Sequence, residues 1–321
     1  MKNMGFAVAS LLAGAATTGC VPPAVVHELG VTGAGQALSR ITSEPLQEVR
    51  PAISPDGKTL LFEVFVAESS GRREERTIVG VDPNTGARRT LYTPNTSLSG
   101  EPAWLPDSSG FVYASNAPGR WSLVRAMSNA PSAAISVLVS GETAPLASRP
   151  SVSPDGQRVT FATRIRNVWT VAVAGIDGSR FTLLGEGMMP SWSPDGKRLA
   201  FVRTVSGYNH LYLVDPDTGT GLVQLTTGDN HDEWPGWSPD SRYIVFATNR
   251  GWNTYPGATA YTRNLYAIKT DGSGLTQLTA GNGENSAPAW GKDGWLYFAS
   301  DQIGNFDIWR FKVVGELARP Q

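Results

Sequence analysis

The chain has 321 residues, a formal net charge of −1 and only 17% charged residues. It carries no Lys/Arg run, so the long-range basic field that nucleic-acid binding needs is absent. Its 35 Gly and 22 Pro suit many tight turns rather than long helices, and its single cysteine, Cys20, excludes an intramolecular disulfide.

Residues 1–20, MKNMGFAVASLLAGAATTGC, read as an export signal. Lys2 is the positive n-region, and Gly5 to Ala16 is an apolar h-region too short to span a bilayer. Small residues then lead to Cys20, a pattern that resembles the lipobox of bacterial lipoproteins, although Thr17 stands where Leu is usual. The resemblance implies signal removal, acylation of Cys20 and a lipid anchor. Val21 beside the cysteine, where inner-membrane lipoproteins often carry Asp, implies the outer membrane. An ordinary secretory signal cut after Ala15 is the alternative. Residues 21–36 are Pro/Gly-rich and read as a tether, leaving 37–321 as the folded domain.

An internal repeat organises the rest. Six segments align: PAISPDGKTLLF from Pro51, PAWLPDSSGFVY from Pro102, PSVSPDGQRVTF from Pro150, PSWSPDGKRLAF from Pro190, PGWSPDSRYIVF from Pro235 and PAWGKDGWLYF from Pro288. The Pro-Asp-Gly core is a reverse turn, because Pro presets φ, Asp binds the backbone ahead and Gly accepts positive φ. The repeated Asp56, Asp107, Asp155, Asp195, Asp240 and Asp293 are therefore turn-formers. An aromatic closes each unit: Phe62, Tyr113, Phe161, Phe201, Phe246 and Phe298. A third strand follows each hairpin, as in VWTVAV from Val168 and LYLVD from Leu211. A fourth carries a recurring aliphatic at Leu91, Leu138, Leu184, Leu225 and Leu278.

Four short strands per unit predict an all-β, six-bladed β-propeller of four-stranded antiparallel blades. The last unit lacks a clear fourth strand, while a surplus one, ALSRITSEP from Ala37, sits at the front with Ile41 at the aliphatic position. The N-terminal strand is therefore expected to complete the last blade, which leaves no open strand edge.

The Trp-Ser-Pro-Asp-Gly hairpins, with ASDQIGNFDIWRF from Ala299 and the LVQLTTG and LTQLTAG phrases, resemble the repeat of TolB-type propellers. The resemblance runs from about Ala37 to Val314. It implies a periplasmic, protein-binding propeller, although similar blades also occur in some peptidases. TolB has a separate N-terminal α/β domain, for which the stretch between Cys20 and Ala37 has no room.

A propeller-bearing peptidase needs a Gly-x-Ser-x-Gly elbow on a hydrolase domain, and this sequence has neither. Of the three histidines, His27 falls in the tether and His210 beside a third strand. Only His231, in DNHDEW, has acidic neighbours. The expectation is a non-catalytic cell-envelope binding module without a cofactor, monomeric, engaging a protein or peptide. The alternative is a hydrolase or lactonase using calcium or another divalent cation in the channel.

The surface for such a partner follows from the geometry of a propeller. Residues preceding the repeated prolines, Arg50, Glu101, Arg149, Met189, Trp234 and Ala287, are expected to ring the channel mouth. They differ in type where the neighbouring structural positions repeat. Loops joining second and third strands add Arg72, Arg73 and Arg76 in one blade and Trp252, Tyr255 and Tyr261 in another. Tyr208, Asn209, Asn305 and Phe306 border the same face. Trp, Tyr and Arg are the residue types that dominate interface energetics.

Overall fold

Each Pro-Asp repeat folds as the hairpin that its turn chemistry requires. The Ser54 hydroxyl donates to Asp56 Oδ1 at 2.6 Å and accepts the Thr59 N–H at 2.9 Å, while Asp56 Oδ1 accepts the Lys58 N–H at 3.1 Å. The same Ser–Asp bond recurs at Ser153–Asp155, Ser193–Asp195 and Ser238–Asp240. The serine hydroxyl holds the carboxyls of Asp56 and Asp155 below the usual range. The repeated aspartates are thus bound into their own turns.

A computed structural model describes residues 29–67, 74–89, 98–128, 136–252 and 262–318. These form six four-stranded antiparallel sheets, the blades of a propeller. Blade 1 comprises Gln47–Ile53, Leu60–Ala67, Glu74–Val81 and Arg88–Arg89. Blades 2 to 5 begin at Ser99–Trp104, Ser148–Val152, Met188–Trp192 and Asp232–Trp237. Blade 6 consists of Asn285–Trp290, Trp295–Ser300, Asp307–Val313 and, from the other end of the chain, Gly35–Arg40.

Closure is as expected. Ser39 pairs with Arg310 and Arg40 with Trp309, and Ile41 N–H donates to Ile308 C=O at 2.7 Å. Arg40 also bridges to the buried Asp307 at 2.9 Å. The pairing extends further upstream than expected. Gly30–Val31 pairs antiparallel with Thr279–Ala280, and Leu29 is buried in the core between blades 5 and 6. The tether expected over 21–36 is therefore shorter at its C-terminal end. Apolar Leu29 and Val31 gain burial there, and the Thr32 N–H and hydroxyl find carbonyls of Leu278 and Gln277. Residues 1–28, including Cys20 and His27, lie outside the described residues, as do Leu91, Arg72, Arg73, Tyr255 and Tyr261.

One device repeats in all six first strands. Between Val49 and Ala52 two residues, Arg50 and Pro51, oppose the single Phe62 of the second strand. The register breaks at the equivalent place in every other blade. This is a β-bulge, which leaves one residue without ladder bonds; proline fits because it has no N–H to lose. The closing aromatic of each repeat is the residue opposite the bulge, so the recurring Pro and the recurring aromatic are two halves of one feature.

The core lies between neighbouring blades. Leu60, Phe62 and Val64 of blade 1 meet Tyr297, Ala299 and Ile308 of blade 6, and Leu61 and Ile78 meet Phe111, Tyr113 and Val124 of blade 2. Two recurring tryptophans also stitch blades together. Trp104 Nε1 donates to Ala52 C=O at 2.9 Å and Trp237 Nε1 to Ser191 C=O at 3.0 Å. At the periphery, Gly178 (φ 84°) lets the last turn of blade 3 approach Leu138 of blade 2, where a Cβ would collide with the Leu138 carbonyl.

Candidate binding site at the channel mouth

The bulge decides where the mouth residues point. Arg50, Glu101, Arg149, Met189, Trp234 and Ala287 all adopt left-handed backbone, with φ between 50° and 59°. A non-glycine residue held there costs on the order of 1 kcal/mol or more. With their prolines they line a central cavity of about 190 Å³. The six residues expected at the mouth are thus brought together.

Their side chains interact. The Arg149 guanidinium sits 4.2 Å from the Trp234 ring centroid and that of Arg50 5.3 Å from it. Arg149 Nε lies 3.5 Å from Glu101 Oε1, and the Arg149 N–H donates to Glu101 Oε2 at 2.6 Å. The Trp234 N–H donates to the Met189 sulfur at 3.4 Å. Arg149 Nη1 is buried with no hydrogen-bond partner among the described residues. Burial pushes the Arg149 guanidinium below its ordinary value, opposed by Glu101.

A larger cavity, about 310 Å³, opens beside the mouth over blades 1 to 4 and shares Arg50, Glu101 and Arg149 with it. Trp121, Leu146, Trp169 and Met188 supply apolar wall, and Glu63 and Arg76 supply charge. Glu63 is fully buried, 2.5 Å from Arg50 Nη1 and 3.7 Å from Arg76 Nη1, and it accepts the Glu101 N–H at 3.1 Å. Burial pushes its carboxyl up, and Arg50 opposes the shift. Gly100 leaves room for this carboxylate, which a Cβ at that position would strike. The lining combines flat apolar surface with oriented cations and anions, the chemistry of a recognition pocket.

Glu63, Trp121, Leu146 and Trp169 were not foreseen as lining residues. A signal for Glu63 exists in the repeat. The residue after the closing aromatic is Ala114, Ala162, Val202, Ala247 or Ala299 in the other blades, and Glu63 alone is charged.

The remaining expected residues are placed differently. Asn209 Nδ2 donates to Glu233 Oε1 at 2.6 Å, and Tyr208 packs 5.7 Å from the His231 ring. Asn305 Nδ2 donates to Glu44 C=O and Leu46 C=O, and Phe306 packs in the core between blades 6 and 1, so both serve the seam. Trp252 follows the second strand of blade 5, Tyr243–Thr248, and is 36% exposed. The carboxylates near His231 are engaged by arginines: Asp232 by Arg250 at 3.1 Å, Glu233 by Arg263 at 3.4 Å. Among the described residues, no three His, Cys, Asp or Glu side chains gather as a cation cage.

Residues 150–255, covering blades 3 and 4 and part of 5, match the family model of the TolB beta propeller domain. That stretch carries the TolB-type repeat, within a six-bladed β-propeller. TolB from Acinetobacter baumannii superposes on this chain with a TM-score of 0.62 at 20% identity, over 78% of this chain and 58% of that one. A gluconolactonase from Xanthomonas campestris superposes with a TM-score of 0.63 at 14% identity, over 88% and 91%. At such identities these likenesses speak for the fold alone. In sequence, an uncharacterized protein of Agrobacterium fabrum is 36% identical over 110 residues, 34% of each chain. The chain thus spans about a third of that relative and under two thirds of the Acinetobacter protein.

Proposed function

We propose that this TolB-like propeller is a cell-envelope binding module, anchored through an acylated Cys20, whose mouth-side cavity receives a protein or peptide segment. One observation carries the reading. The 310 Å³ cavity is lined by Trp121, Trp169 and Arg149, whose side chain remains 25% exposed beside Glu101. An acceptor on a partner, a carboxylate or a main-chain carbonyl, bonds the exposed part of that guanidinium, while an apolar side chain covers the indoles.

The experiment is photocrosslinking in intact cells from a benzoylphenylalanine at position 121. The expected result is one dominant protein adduct, identified by mass spectrometry and abolished by Arg149→Ala. Adducts spread over many abundant proteins, or an adduct indifferent to that substitution, would reject the assignment.

A further inference from the structure

An asparagine or aspartate followed by glycine is a labile point in a backbone, because glycine has no Cβ to keep its nitrogen away from the preceding side-chain carbonyl. The chain has six Asp-Gly pairs and one Asn-Gly pair, Asn282-Gly283. In the six Asp-Gly pairs the glycine nitrogen is engaged. The N–H groups of Gly57, Gly156, Gly178, Gly196, Gly272 and Gly294 each donate to the carbonyl three residues back, at 2.8 to 2.9 Å.

Asn282-Gly283 is built differently. It lies between the short strand Thr279–Ala280 and the first strand of blade 6, Asn285–Trp290. Gly283 is buried, yet its N–H donates to no acceptor among the described residues. A buried donor in that state is rare. Asn282 is held at two other atoms. Gln302 Nε2 donates to its Oδ1 at 3.1 Å, and Thr262 Oγ1 to its main-chain carbonyl at 3.0 Å. Its Nδ2 makes no hydrogen bond to a described residue. The side-chain carbonyl is therefore polarised, while the attacking and departing nitrogens are both unengaged. The glycine is also required by packing: a Cβ at 283 would stand 2.8 Å from Gln302 Oε1 and 2.9 Å from Asp301 Oδ1.

We propose that Asn282 is a site of spontaneous self-modification, in which the Gly283 nitrogen attacks Asn282 Cγ. The N–Cγ bond forms, the Cγ–Nδ2 bond breaks, and the Gly283 proton leaves with Nδ2 as ammonia. Negative charge gathering on Oδ1 is met by Gln302 Nε2. Water then opens the cyclic imide at either carbonyl and leaves isoaspartate or aspartate. Either product places a carboxylate near Asp301, whose Oδ1 already accepts the Glu284 N–H at 2.6 Å. Isoaspartate also adds a methylene to the backbone next to Gly281, where a Cβ would stand 3.7 Å from the Cα of Leu29. The change therefore falls where the N-terminal end of the described chain docks on blades 5 and 6.

The test incubates the folded full chain in heavy-oxygen water at mildly alkaline pH, beside a sample unfolded in guanidinium chloride, and maps both by mass spectrometry with electron-transfer fragmentation. Asn282 in the folded sample is expected to gain one heavy oxygen, with isoaspartate in excess over aspartate. Its rate should lie within about tenfold of the rate in the unfolded sample. The six Asp-Gly pairs should form isoaspartate in the unfolded sample alone, and Gln302→Leu should slow the folded reaction several-fold. A folded rate at Asn282 more than about tenfold below the unfolded one overturns the proposal. Aspartate as the sole product, the mark of direct hydrolysis, overturns it as well.

Discussion

The two ends of each blade solve the same kind of problem in opposite ways. At the turn end, one backbone conformation is met by one residue set, with Ser54–Asp56, Ser153–Asp155, Ser193–Asp195 and Ser238–Asp240 making the same bond. At the mouth end the backbone is equally uniform, with six left-handed residues within ten degrees of one another, yet they are Arg, Glu, Arg, Met, Trp and Ala. Glycine would relieve the strain at each. Side chains are retained there in spite of it, and they converge on one cavity. Repetition of residue type marks where the fold is set, and repetition of backbone alone marks where side chains are free to be particular.

That contrast can be broken most strongly at Glu63. Glu63→Gln leaves Arg50 and Arg76 without their buried counter-charge, and urea titration should show a loss of about 3 kcal/mol. The double variant Glu63→Leu with Arg50→Met should recover much of it. A loss within a few tenths of a kcal/mol for the single change would remove the mouth's claim to an energetic centre.

Glu48, at the seam between blades 6 and 1, gives a pH signature of the mouth end. Burial, opposed by Thr42 and Arg88 and reinforced by Asp307, pushes its carboxyl up from 4.5 to about 7. The folded state then holds a proton that the unfolded chain releases. Its stabilising contribution is full below pH 4.5 and is lost as pH rises to about 7. The loss is bounded at roughly 3 kcal/mol. Glu48→Gln should flatten this part of the stability–pH curve, and parallel curves for the two proteins would show the carboxyl to be ionised throughout.

Smaller effects separate binding from folding. Trp169→Ala should weaken capture of the partner identified by crosslinking about tenfold, near 1.4 kcal/mol, with little change in melting temperature. At the turn end, Ser153→Ala and Ser193→Ala should each cost about 1 kcal/mol and agree closely with one another. Disagreement between them would blur the distinction between the two ends.

The blade count, the hairpins and the closing strand were legible because each depends on local chemistry repeated six times. The bulge was half legible. Proline and aromatic were both visible as repeats, but their opposition is a matter of register that a sequence does not display. Pairing of Gly30–Val31 with Thr279–Ala280 escaped notice because two-residue strands leave no periodic pattern. Trp121 and Trp169 escaped because they sit in the loop and strand of two different blades and meet only around the ring. Asn305 and Phe306 were expected on the correct face, and their engagement in the seam depends on partners roughly 260 positions distant in sequence.

The clasp of blade 6 sets an order of events. The strand made early must wait for Asp307–Val313, since Arg40 and Asp307 stand 267 positions apart. Contacts of such separation form late and slowly. During synthesis the ring stays open until its last strand has emerged from the ribosome, and a nascent chain stalled before that point presents two unpaired edges to chaperones and proteases.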